Sequence, residues 1–258
     1  SLKNLYTSLL RNDQLVIAAI GLLLYTIAHE LFISLSINYF YFHFGYGGAQ
    51  ITLFTVTFAL GTLLSIAAFG KLSKKYKRLD IMRFGLTISS IGYLIFIAIG
   101  TILPLVEILL YMASLMIFFG HGLFFVIFVV LIANTIEYNY HKFGDRNEAV
   151  VFSVRPFMTK LGAAIQQLLL TLILISTGVY SYSQNIARLE LEKNQGIFAD
   201  ITQQANALLQ NADEPMKLML RLLMGLVPLL FINIAYIITK KKYIITEELF
   251  ESWTGKRE

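Results

Sequence analysis

The sequence predicts an all-α membrane protein of six transmembrane helices, and three observations predict it. First, 57% of the 258 residues are hydrophobic and only 14% are charged. The mean hydropathy is +0.67. A water-soluble domain of this length needs more polar surface than that to cover its core. The 20 Phe and 14 Tyr add bulky apolar surface that one soluble core cannot bury. Second, six stretches are apolar over the roughly 20 residues a helix needs to cross a hydrocarbon core of about 30 Å. They run over about 15–42, 51–69, 81–103, 105–133, 150–180 and 218–239. Third, the basic residues gather in alternate loops between these stretches.

Each stretch is expected to be helical, because lipid leaves the backbone no partner outside its own segment. None of the runs alternates with the period of a membrane barrel strand. Lys71, Lys74, Lys75, Lys77 and Arg78 follow the second span, Lys142 and Arg146 the fourth, and Lys240, Lys241 and Lys242 the sixth. Lys3 and Arg11 precede the first. Residues 44–50 and the turn at Pro104 carry no Lys or Arg. The positive-inside rule therefore expects both termini in the cytoplasm, with the chain in the cell membrane. The remaining loop, 181–215, is outer; it sets Arg188 and Lys193 against Glu190, Glu192, Asp200, Asp213 and Glu214. In it Ile197, Ile201, Ala205 and Leu208 recur at helical spacing. That spacing suggests a short amphipathic helix at the outer surface, with a disordered polar loop as the alternative.

The N-terminal stretch does not read as a signal peptide, since the apolar run after residue 14 is too long for a signal core. A chain beginning at Ser1 without Met is expected to be a processed or excised piece. With no cysteine there is no disulfide framework and no thiolate metal site. The net charge of +5 sits in the short loops and is no nucleic-acid footprint. The four histidines, at 29, 43, 121 and 141, lack metal-ligand spacing. No phosphate loop, dinucleotide fingerprint, zinc-protease or nucleophile-elbow motif appears, so no catalytic residue, metal or cofactor is expected.

Ionisable groups inside a bilayer are costly and mark functional candidates. The first span carries His29 and Glu30 near its midpoint. Glu30 can take up a proton or hold a cation; the alternative is a carboxylic acid hydrogen-bonded to His29 or a neighbouring helix. The fifth span holds the densest polar set, with Ser153, Arg155, Thr159, Lys160, Gln166 and Gln167. Ser153, Lys160 and Gln167 are seven apart and share one face. Lys160 lies deepest of the two cations, and its three donors suit a hydroxyl-rich or anionic ligand in a wet cavity. A structural ion pair with a buried acid is the alternative. Arg155 sits about one turn in and can snorkel to the cytoplasmic surface. In the fourth span, His121 between Gly120 and Gly122 reads as close helix packing. Phe125, one aromatic among many, reads as packing too.

Residues 123–162 read LFFVIFVVLIANTIEYNYHKFGDRNEAVVFSVRPFMTKLG. Ala133, Glu137, Tyr138, Gly144, Arg146, Glu148, Ser153, Lys160 and Gly162 fall in step with a pattern of the glycoside–pentoside–hexuronide:cation symporter family. The chain thus resembles the melibiose permease-like members of the major facilitator superfamily. Asn12, Tyr39, Gly45 and the basic loop 70–78 are similar to the same family's start of its C-terminal half. The resemblance implies half of a twelve-helix transporter, in which two six-helix halves enclose a sugar near the midplane and work by alternating access. It implies that Lys160 lies in the sugar and cation cavity, and that Arg155 and Thr159 lie near the sugar. It also implies that Phe125 replaces a tryptophan beside the sugar. The partners implied are a sugar or glycoside, a coupling cation (Na+ or H+), the N-terminal half and membrane lipid. Asn134 and Glu137 depart from the family's aspartates. Arg155 stands in place of a glutamine, which points to a more acidic sugar such as a uronide. An amphiphilic or lipid-like cargo is the alternative on the same fold. A membrane-embedded enzyme or sensor would rest on His141, Asp145 and Glu148 at the cytoplasmic edge.

Overall fold

A computed structural model describes residues 10–255. Lys3 lies outside them. Nine helices are present among the described residues: α1 (Asp13–Phe44), α2 (Gln50–Leu72), α3 (Arg78–Ala98), α4 (Glu107–Phe143), α5 (Glu148–Ser176), α6 (Tyr180–Asn194), α7 (Thr202–Leu209), α8 (Glu214–Lys242) and α9 (Glu247–Thr254). Six of them, α1 to α5 and α8, are long and apolar enough to cross a membrane. The shortest, α3, has 21 residues, about 30 Å at the α-helical rise.

Local signals set the ends. Asn12 accepts a hydrogen bond from the Leu15 amide at 3.0 Å and caps α1. Its side-chain amide also donates to the Thr135 carbonyl at 3.0 Å, tying the start of α1 to α4. Asp213 caps α8 by accepting from the Met216 amide, with Pro215 in the first turn. Helix α4 continues ten residues past 133 and stops where Gly144 turns left-handed at φ 78°. Helix α3 ends at Ala98, short of 103, because the chain folds back there and the Gly100 amide donates to the Leu103 carbonyl at 2.7 Å. Helix α5 ends at Ser176 rather than near 180, shortly before Gly178.

Helices α1 and α4 form the centre. Helix α1 packs on α4, α5 and α8; α4 packs on α1, α2 and α3. Phe32, Leu35 and Tyr39 of α1 and Ile117, Phe118, Phe124 and Phe128 of α4 are fully buried. Helices α2 and α5 are the least enclosed. Only Phe54, Gly61 and Ser65 of α2 are buried, and Leu60, Leu63 and Leu64 on α2 and Phe157, Leu168 and Leu172 on α5 are exposed.

The 181–215 segment folds as a helical cap. Asn206 of α7 accepts from the Tyr46 amide at 2.8 Å, and the Tyr46 hydroxyl donates to Glu190 of α6 at 3.1 Å. Ile201 and Ala205 are buried against Leu189. Helix α7 falls within the spacing read from sequence, but Ile197 lies outside it and is exposed. Helix α6 is too polar to announce itself, since it buries only Ile186 and Leu189.

At the opposite end, α9 lies across the basic loops. Arg78 pairs with Glu247 at 3.2 Å and Lys77 with Glu248 at 2.6 Å. The Trp253 ring stacks on His141 at 5.0 Å. The Lys77 ammonium is the main cause that holds the Glu248 carboxyl down at about 2. Since this lies below the free-carboxylate value of 4.5, the attachment is complete above that pH and weakens as pH falls toward 2. The pair is exposed, so the effect is local. Trp253 is the chain's single tryptophan. Its emission is expected to change in that acid window, and Lys77→Ala is expected to remove the transition.

Candidate functional site

Helices α1, α2, α4 and α5 form one open wall. Pro156 lies inside α5. A proline there has no amide hydrogen, so the carbonyl of Phe152, one turn earlier, is left without its helical donor. Gly162 lets α5 close on α1, since a β-carbon there would meet Thr26 Cγ2 at 2.8 Å. These two features place Arg155, Thr159 and Lys160 between the α4 and α1 surfaces.

Two adjoining cavities mark the wall. One, of about 480 Å3, is lined by Val129, Ile132 and Ala133 of α4 and by Phe152, Arg155, Pro156, Thr159 and Lys160 of α5. The other, of about 210 Å3, is lined by Tyr25, Thr26, His29 and Glu30 of α1, Phe58 and Thr62 of α2, Gly122 and Phe125 of α4, and Thr159. Thr159 belongs to both. The five residues singled out from sequence therefore lie on one surface, though they are spread over 131 positions between Glu30 and Lys160.

Their chemistry is specific. The Arg155 guanidinium lies 4.9 Å from the Phe125 ring centroid, within cation–π range. It lies over Phe125 while remaining exposed. Lys160 is exposed on the wall, and no ion pair or hydrogen bond engages it among the described residues. The alternative of an ion pair with a buried acid thus has no acid here. Thr159 donates to the Arg155 carbonyl at 3.0 Å, which leaves its oxygen free to accept. Glu30 is half-buried and carries no hydrogen bond or ion pair among the described residues. The shared face continues toward α6: Gln167 is one of several polar groups, with Ser34, Asn38, Thr171 and Glu190, around a groove of about 510 Å3 beside α6.

The sequence reading missed two groupings. His29 is bonded not to Glu30 but to His121, with Nδ1 atoms 3.2 Å apart. They stand 92 positions apart, and no spacing could have joined them. Glycine packing around His121 is nevertheless real, since a β-carbon on Gly122 would lie 1.9 Å from Ser65 Oγ. The second grouping is Arg221 of α8, which is 4% exposed. It donates to His43 Nε2 at 2.6 Å, near the start of α8 and the end of α1. A cation inside the last apolar run was the available signal.

The cluster of His141, Asp145 and Glu148 read from sequence does not converge. Asp145 accepts from Asn139 and Asn147, Glu148 faces Arg146 at 3.8 Å, and His141 stacks on Trp253. No group of three or more His, Cys, Asp or Glu could hold a metal ion among the described residues.

The profile of the family of MFS/sugar transport proteins matches residues 1–234. The chain is 31% identical to a raffinose carrier protein of Pediococcus pentosaceus over 68% of its own length and 26% of the carrier's. It is 29% identical to a lactose permease of Lactobacillus delbrueckii subsp. bulgaricus, over 69% of its length and 28% of the permease's. It is 27% identical to a lactose permease of Leuconostoc lactis, over 69% and 27% respectively. The chain thus spans only about a quarter of the curated relatives it matches.

Proposed function

Because the chain belongs to the family of MFS/sugar transport proteins, we propose that it is the C-terminal six-helix half of a secondary active transporter for a sugar or glycoside. One observation carries this reading. Lys160, Arg155, Thr159, Phe125 and Glu30 gather on a single open wall, with no acid occupying the lysine among the described residues. The substrate sits between that wall and a second half. Lys160 and Arg155 donate to its oxygens, Thr159 accepts, and Phe125 stacks under an apolar sugar face. The Phe152 carbonyl freed by Pro156 is a further acceptor at the same wall.

The exposed apolar faces of α2 and α5 support the missing half as the partner, since they flank the wall on both sides. The two halves rock about the site in alternating access. A cation, Na+ or H+, couples to the sugar, with Glu30 as the seat on this half; the coupling is reciprocal between the two ligands. The protein lies in the cell membrane with both ends of this segment in the cytoplasm. The clustering of α9 with the basic loops 73–77 and 142–146 at one end supports that orientation.

The names of the relatives make raffinose and lactose the first probes. Uptake of radiolabelled raffinose, lactose and a glucuronide by cells carrying the full-length protein tests the reading, and accumulation of at least one is expected. Preference for the glucuronide would assign the two cations to a carboxylate. A second reading, an amphiphilic cargo, is favoured by the apolar lining around Lys160 from Val129, Ile132, Phe152 and Pro156. Absence of uptake and of any thermal shift with all three sugars would select it.

A further inference from the structure

A hydrogen-bonded chain crosses three helices behind the sugar wall. His29 Nδ1 on α1 lies 3.2 Å from His121 Nδ1 on α4. His121 Nε2 lies 3.2 Å from the Tyr93 hydroxyl on α3. His121 and Tyr93 are fully buried, whereas His29 lines the smaller cavity beside Glu30. The chain therefore leads from the cavity into the core of the bundle.

A bond between two imidazole nitrogens needs one donor and one acceptor. Two neutral arrangements satisfy it. In one, His121 Nδ1–H donates to His29 and Tyr93 donates to His121 Nε2. In the other, His29 Nδ1–H donates to His121, and His121 Nε2–H donates to the Tyr93 oxygen. A proton arriving at His29 makes both of its nitrogens donors and leaves only the second arrangement. A second proton would set N–H against N–H and break the bond. The pair thus has room for one added proton, and taking it up at His29 fixes the polarity of the chain where α1, α3 and α4 meet.

Two groups of α1 adjoin the pair. Tyr25 on α1 stacks on His29 at 5.6 Å with 17° between the rings. Glu30 is the carboxylate in the same cavity. From α2, Phe58 and Thr62 face the cavity and bring no ionisable group. From α5 the cavity receives Thr159, while Arg155 stays on Phe125.

The geometry points to the His29–His121 pair as a site that binds a single proton from the cavity, with Tyr93 as its terminal hydrogen-bond partner and Glu30 as counter-charge. The inference rests on the transporter reading and deepens it, because it makes the coupling ion on this half a proton and moves its seat from Glu30 to the adjoining His29–His121 pair.

The test uses proteoliposomes of the full-length protein with lactose as probe. Two quantities are read: lactose-driven proton influx, and lactose counterflow at clamped pH. His121→Gln, at a buried residue that lines neither cavity, is expected to cut proton influx per lactose by about tenfold or more while counterflow persists, and His29→Gln is expected to cut the proton yield per lactose likewise. Tyr93→Phe is expected to keep both activities. It strands the buried His121 Nε2–H of the proton-bound state, so the pH midpoint of influx should fall by about one unit. An unchanged proton yield in both glutamine variants overturns the inference, as does an unchanged midpoint in Tyr93→Phe. Lactose influx that follows Na+ and moves no proton overturns it as well, while leaving the transporter reading intact. Absence of uptake and counterflow of every probe sugar from the unsubstituted protein overturns the transporter reading, and the inference with it.

Discussion

Lys160→Ala in the full-length protein is expected to lower sugar uptake by about 10- to 100-fold, the equivalent of losing one charge-assisted hydrogen bond of about 1.5–3 kcal/mol. The direction follows from what surrounds the side chain. Lys160 stands exposed on the cavity wall and no acid of this chain holds it among the described residues. Its removal therefore strands no buried carboxylate, and expression and the thermal midpoint in detergent should stay close to those of the unsubstituted protein. Loss of uptake with retained stability places the residue at the substrate. Lys160→Arg should restore only part of the activity, because a planar fork replaces a compact three-donor ammonium. Uptake unchanged in Lys160→Ala would remove the residue from the mechanism.

Gly120→Val is expected to be the most damaging single substitution for the fold. A β-carbon on Gly120 would lie 2.3 Å from the Gly85 carbonyl oxygen and 2.7 Å from Ser89 Cβ. The first of these is backbone, so no side-chain rotation makes room and α3 must move away from α4. Overpacking of a core commonly costs about 1–3 kcal/mol, and a backbone obstacle puts this site at or above the upper figure. The thermal midpoint in detergent should fall by several degrees or the protein should fail to express. Gly70→Val is the control, since nothing lies within 4 Å of a β-carbon built there. Equal stability of the two variants would contradict the packing described for α3 and α4.

The sequence was most informative where one physical requirement governs a long run of residues. A chain that must satisfy its backbone in lipid can only be helical over such lengths, so six apolar runs became six membrane-crossing helices. The polar set on the fifth run was legible for the same reason, because an unpaired lysine in an apolar helix demands shelter. What the one-dimensional reading handled poorly were ends and caps. Helix α4 runs to Phe143 because its last turns are polar yet still hydrogen-bonded, with Arg146 bound to Glu137 at 2.8 Å. Helix α6 escaped notice because a cap needs few apolar residues when a tyrosine and an asparagine do the fastening.

By itself, then, the sequence determined the class, the number of apolar runs, the alternation of basic loops and which polar side chains lie within those runs. Each of these depends on a residue and its near neighbours along the chain. Only the tertiary structure decided which of those side chains share a surface. Gly162 against Thr26 sets α5 on α1, and Arg155 turns onto Phe125 across the α4–α5 seam. His29 meets His121 at 3.2 Å from 92 positions away. Such meetings arise from the crossing of packed helices, where side-chain volumes and close approaches choose the register, and no periodicity along one helix encodes its partner on another.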